Sequence, residues 1–152
     1  MKVLLPVYGV DDAHLIIDFV VNYRWPPATA FKVIHVLGTS DTDATAQIAE
    51  DAAKTLILSV LNKLKEHLTK SEFSSELVHG AAILEIVNAA GSWKADMIVM
   101  GYRTIPMKER LLSGSVSNGV VMQAPCSVAI IRPPINNYGQ QGSQSHVMTR
   151  AQ

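Results

Sequence analysis

The chain has 152 residues, with thirteen basic against thirteen acidic side chains and 48% hydrophobic residues. That size and balance fit one folded domain and exclude an intrinsically disordered chain, and zero formal net charge argues against nucleic-acid binding through bulk electrostatics. A single cysteine, Cys126, excludes an internal disulfide and suits a reducing compartment.

Residues 1–7 carry one cation and a broken apolar run, without the long apolar core and small-residue cleavage site of a secretory signal. Residues 2–7 predict a first strand, covered on both faces and bounded by Tyr8-Gly9. Asp11 or Asp12 is placed to cap a helix with Leu15, Ile16, Phe19, Val20 and Tyr23 on one face. Trp25-Pro26-Pro27 stops that helix, because proline disfavours helical geometry in the residue before it. Residues 31–37 predict a second buried strand, ending at Gly38.

From about Ala44 a long helix is expected, with Ile48, Ala52, Leu56, Val60, Leu64 and Leu68 as a core stripe at every fourth position. Residues 73–79 predict a strand nearer the sheet edge, and Gly80 leads into a helix with Ile83, Ile86, Val87 and Ala90. Residues 97–101 form the fourth strand, 115–123 a short helix and 127–131 the fifth strand. Strands alternating with helices predict right-handed crossovers, hence an α/β fold: a five-stranded parallel, doubly wound sheet with helices on both faces. The domain is expected over residues 1–133, and the Asn-, Gln-, Gly- and Ser-rich residues 134–152 as a mobile tail. No apolar run approaches the length of a membrane span, so a soluble cytoplasmic protein is expected.

Chemistry concentrates where Met97-Ile98-Val99-Met100-Gly101 is followed by Gly114-Ser115-Val116-Ser117. An apolar run ends in glycine, a polar loop follows, and a second glycine opens a helix. This is the layout of a phosphate site at the carboxyl edge of a parallel sheet, where glycine lets an anion approach the main chain. It is not a P-loop: Gly114 and Gly119 have the spacing, but Val120-Val121 follow instead of lysine and a hydroxyl residue. A Gly-x-Gly-x-x-Gly fingerprint is absent from the sequence.

The pattern resembles that of the universal stress protein family. There the fourth strand ends in Gly-x-x-Gly, followed by nine residues and Gly-Ser or Gly-Thr. Here Gly101-Tyr102-Arg103-Thr104 precedes nine residues, 105–113, and then Gly114-Ser115. Residues 96–101, 124–132 and His35-Val36 resemble the family's fourth, fifth and second strands, and the resemblance covers residues 2 to 132 in order. It implies a Rossmann-like fold of the adenine nucleotide alpha hydrolase type. It also implies an adenine nucleotide, ATP in the family's nucleotide-binding members. Val36 would contact adenine through its backbone, and Pro6 and Val7 would line the pocket. Gly101, Gly114, Ser115, Val116 and Ser117 would hold the phosphates. A homodimer through Ser127–Ile131 is implied as well, and an apolar edge strand of that kind is a hazard unless covered.

Two departures bear on the ligand: Thr104 replaces the second glycine, and Tyr8 stands where the family carries the acid that holds the ribose. The alternative is therefore a vestigial pocket, occluded by Tyr8 and Thr104, in a protein acting only through protein partners. Arg103 can neutralise phosphate, whereas Lys108 and Arg110 read as solvent-facing loop cations. No metal site is expected, because His14, His35, His67, His79 and His146 lack paired ligand spacing. Cys126 reads as a small buried residue, since no base is placed for it. With no acid–base or nucleophile constellation, the expectation is a regulatory or protective stress-response module and not an enzyme.

Overall fold

The computed structural model describes residues 1–38, 43–102 and 116–133. Within these residues five strands and four helices alternate. They are β1 (Lys2–Pro6), α1 (Val10–Asn22), β2 (Ala30–Leu37), α2 (Asp43–His67), β3 (Glu72–His79), α3 (Ala82–Trp93), β4 (Met97–Gly101), α4 (Val116–Gln123) and β5 (Ser127–Ile131). All pairings are parallel, and the strand order is β3-β2-β1-β4-β5. The expected doubly wound α/β sheet is thus the architecture found.

The order reverses between β1 and β4, where Val3 pairs with Met97 and Leu4 with Ile98. The helices that follow these two strands, α1 and α4, pack on opposite faces, the arrangement that places a crevice at the strands' carboxyl ends. Alternation along the strands divides the core in two. Val3, Leu5, Phe31, Val33 and Val99 pack against α1 and α2 through Ile16, Val20, Ile57, Val60 and Leu64. Leu4, Ile34, Ile98 and Met100 pack on the other face against Ile86, Ala89 and Ala90 of α3 and Val120 of α4.

Two expectations are corrected. In α2 the buried side chains are Ala53, Ile57, Val60, Leu61 and Leu64, while Ile48 is 72% exposed and Ala52 is also exposed. A strict four-residue spacing overshoots each 3.6-residue turn by about 40°. A stripe that faces the sheet at Leu64 has therefore wound round to solvent by Ile48. In α1, Ala13, Ile16, Ile17 and Val20 are buried, whereas Tyr23 lies beyond the helix and is exposed.

The two tryptophans lie near helix ends, Trp25 just beyond α1 and Trp93 as the last residue of α3. Trp25 donates its indole N–H to the Val20 carbonyl at 2.7 Å and packs edge-on against Phe31. Trp93 lies beneath the ammonium groups of Lys2 and Lys32, 5.6 and 5.2 Å from its ring centre.

Candidate functional site

At the crevice between β1 and β4, the first turn of α1 sits directly above the end of β4. Gly9, not Asp11 or Asp12, is the N-cap of α1. Glycine has no side chain to satisfy the free N–H groups of a helix start, and Asp12 supplies the missing acceptor from inside the helix. Its Oδ1 accepts the Gly9 N–H at 2.6 Å and its Oδ2 the Tyr8 N–H at 2.8 Å. This is the return arm of a capping box, in which the third helical residue reaches back to the cap. The negative charge also complements the positive end of the helix dipole.

Below Asp12 lies a narrow cavity of about 80 Å³ lined by Pro6, Val7 and Tyr8 from the β1 end and Ile34 and Val36 from β2. Ala82, Ile86, Met100, Gly101, Val116 and Ser117 close it, with Asp12 at the rim. Six residues singled out in the sequence therefore come together here: Pro6, Val7, Val36, Gly101, Val116 and Ser117. Gly114 and Ser115 lie outside the described residues, as do Arg103, Thr104, Lys108, Arg110 and the tail from residue 134 onward. The lining is mostly apolar. Its polar side chains are Tyr8, Asp12 and Ser117, and Asp12 is the sole charged one among the described residues.

Tyr8 lines the slot and also reaches solvent. Its side chain is 62% exposed at the mouth, with its ring nearly parallel to that of His35, the centroids 6.4 Å apart. His35 is buried at 7% exposure, and burial lowers its pKa below the ordinary 6.5; a hydrogen bond to the Val7 main chain and the charge of Asp12 pull the other way. Its Nδ1 has no hydrogen-bond partner among the described residues. A wider, more open groove of about 410 Å³, lined by Tyr8, His35 and Leu37 from one side and Ala49, Ala53 and Leu56 from the other, runs between the β1 and β2 ends and α2.

Gly101 has a role that sequence spacing did not show. A β-carbon there would meet Asp12 Cβ at 2.7 Å and the Asp12 main chain at 3.2–3.3 Å. Glycine at this strand end is thus required by the close seating of α1. Asp12 itself was not among the sequence candidates for the cavity. Its signal was available, since an acid three residues after Gly9 has capping-box spacing. Among the described residues, no group of three or more His, Cys, Asp or Glu side chains is placed to hold a metal ion, and no helix is long and apolar enough to cross a membrane. Cys126 is partly buried, and desolvation raises its thiol pKa, the opposite of what an activated nucleophile needs.

Comparison with known proteins agrees with this fold. The model of the universal stress protein family matches residues 1–132. The universal stress protein MJ0531 of Methanocaldococcus jannaschii is 40% identical over 140 residues, covering 88% of this chain and 82% of the relative. Among solved structures, a universal stress protein in complex with cAMP superposes with a TM-score of 0.65 at 19% identity, covering 87% of this chain and 96% of the other. The universal stress protein from Archaeoglobus fulgidus in complex with dAMP gives 0.57 at 21% identity, covering 86% and 97%. From its strand order, its glycine spacing and these matches, the chain belongs to the universal stress protein family.

Proposed function

We propose that the cavity at the ends of β1 and β4 takes an adenine nucleotide such as ATP, and that the protein works as a homodimeric regulatory or protective module without catalytic turnover. The observation that carries this reading is the slot itself: a narrow, apolar cleft at the point where strand order reverses, with Val36 and Pro6 on its walls and Ser117 of α4 beside it. A flat heterocycle suits apolar walls, and the reversal point is where open α/β sheets bind ligands. Relatives solved with cAMP and with dAMP support the same ligand class. The dimer would form across β5, which among the described residues pairs with β4 on one side only.

Calorimetric titration of nucleotide-stripped protein with ATP, ADP and AMP, with and without magnesium, tests the ligand. Saturable binding at micromolar or tighter affinity is expected, with no release of phosphate from ATP on prolonged incubation. Light scattering in line with gel filtration tests the dimer; a monomer mass would overturn that part. The narrowness of the slot, about 80 Å³, favours one second reading, a vestigial pocket in a protein that acts through protein partners. No binding heat and no thermal protection at millimolar nucleotide would decide for it.

A further inference from the structure

We propose that an aromatic cleft at the amino ends of β2 and β3 docks a proline-rich, acidic segment of another protein. The inference is independent of the nucleotide reading, because the slot lies at the opposite, carboxyl ends of the strands. All three phenylalanines of the chain join Tyr23 and Trp25 in one continuous array of rings. Phe31 and Phe73, stacked 5.7 Å apart, anchor it against the core, and Trp25 stands edge-on to Phe31 at 5.3 Å. At the other end Tyr23 is 51% exposed, its ring tilted 51° to that of Trp25 with the centroids 4.6 Å apart. This pair lines a cleft of about 410 Å³ together with Pro26, Pro27, His67 and Lys70. Its rim is held by internal bonds. The Trp25 indole N–H is fixed on the Val20 carbonyl, and the Thr29 hydroxyl donates to the Pro26 carbonyl at 2.7 Å, across a turn in which Ala28 takes a left-handed φ of 57°. Groups already locked in this way lose little freedom on binding.

The polar groups of the cleft select its occupant. Among the described residues, the Tyr23 hydroxyl and the Lys70 ammonium make no hydrogen bond or ion pair, and both are able to donate. No carboxylate lines the cleft among the described residues, whereas Lys70 and His67 do. It therefore offers apolar ring faces, unused donors and positive charge. A polyproline II segment supplies the complement: stiff pyrrolidine rings for the aromatic wall, main-chain carbonyls for the donors, and no N–H at the prolines to be left unpaired. An acidic residue among the prolines answers the charge. The same charge disfavours a cationic ligand, which aromatic faces otherwise attract.

The test follows the nitrogen-15-labelled full chain by NMR with three end-capped peptides, made of three repeats each of Pro-Pro-Glu, Pro-Pro-Lys or Gly-Ser-Glu. Pro-Pro-Glu is expected to shift the Trp25 indole N–H and the amides of residues 67–71 saturably. Gly-Ser-Glu should bind at least about tenfold more weakly, having charge without rings, and Pro-Pro-Lys about threefold more weakly, the size of an exposed charge pair. Tyr23→Ala, a change at an exposed position, should weaken Pro-Pro-Glu at least about tenfold, and Lys70→Glu should reverse the order of the acidic and basic peptides. The absence of a saturable shift by Pro-Pro-Glu at millimolar concentration would overturn the proposal. Equal binding of Gly-Ser-Glu would overturn it too, by leaving charge alone as the cause, and so would equal or tighter binding of Pro-Pro-Lys to wild type, which marks a cation site over the rings. Undiminished binding by folded Tyr23→Ala would place the peptide elsewhere. The wild-type comparisons decide the matter even where a variant fails to fold.

Discussion

A β-carbon on Gly101 would stand 2.7 Å from Cβ of Asp12 and 3.2 Å from its Cα. The end of β4 and the first turn of α1 therefore approach more closely than any side chain at position 101 allows. Since the obstruction includes main chain, it cannot be relieved by rotating one side chain.

Gly101→Ala is accordingly expected to lower stability by about 1–3 kcal/mol, the usual range for overpacking a filled site. It should also tilt the Asp12 carboxylate away from the cavity. Urea denaturation gives the first quantity and nucleotide titration the second. A variant with unchanged midpoint would contradict the close seating of α1.

The two sides of α2 should respond oppositely to truncation. Leu64 is fully buried, so Leu64→Ala is expected to destabilise by about 2–5 kcal/mol. Ile48 is exposed, and Ile48→Ala should stay within about 0.5 kcal/mol of wild type. Equal losses at both positions would mean that the helix is rotated about its axis.

Acid should weaken the fold through His35. Burial holds its folded pKa below 6.5, so the unfolded chain takes up that proton at higher pH than the folded one does. The contribution of neutral His35 is complete above about pH 6.5 and is lost as pH falls toward the folded value. Urea midpoints between about pH 7.5 and about pH 5 should decline less steeply in His35→Gln than in wild type. Proton NMR should find the His35 ring titrating below 6.5.

At the end of α3, Lys94 holds a left-handed conformation, φ 55°, while its N–H bonds back to the carbonyls of Ala90 and Gly91. A non-glycine residue there is strained by about 1–2 kcal/mol. Part of that is offset by the greater freedom of glycine in the unfolded chain. Lys94→Gly should therefore raise stability by up to about 1 kcal/mol, measured by thermal or urea melts; a loss would show that the lysine side chain contributes more than its strain removes.

The strands were the most legible part of the sequence. β4 and β5 begin and end at the expected residues because each is a short apolar run preceded by a residue that strands reject, Asp96 before one and Pro125 shortly before the other. The wall of the slot was legible through the family resemblance, which implied Pro6, Val7 and Val36 before their place at the strand ends was seen. The start of α1 was not, because its cap is a glycine whose work is done by Asp12 three residues later. The face of α2 was misjudged because a four-residue count imitates amphipathicity locally and drifts over several turns. Side chains from α3 that line the slot, Ala82 and Ile86, depend on how two helices cross a sheet, which no local pattern encodes.

The division of the interior by a single sheet gives mutational energies a definite grammar. Leu64 and Ile86 belong to clusters on opposite faces, separated by the sheet. Losses from truncating one residue in each cluster should sum, whereas pairs within a cluster, such as Val60 with Leu64, should deviate from summation. Both halves meet at the slot, the one facing α1 and α2 through Val7 and the one facing α3 and α4 through Ile34, Ile86 and Met100, so a truncation on either side can be read there.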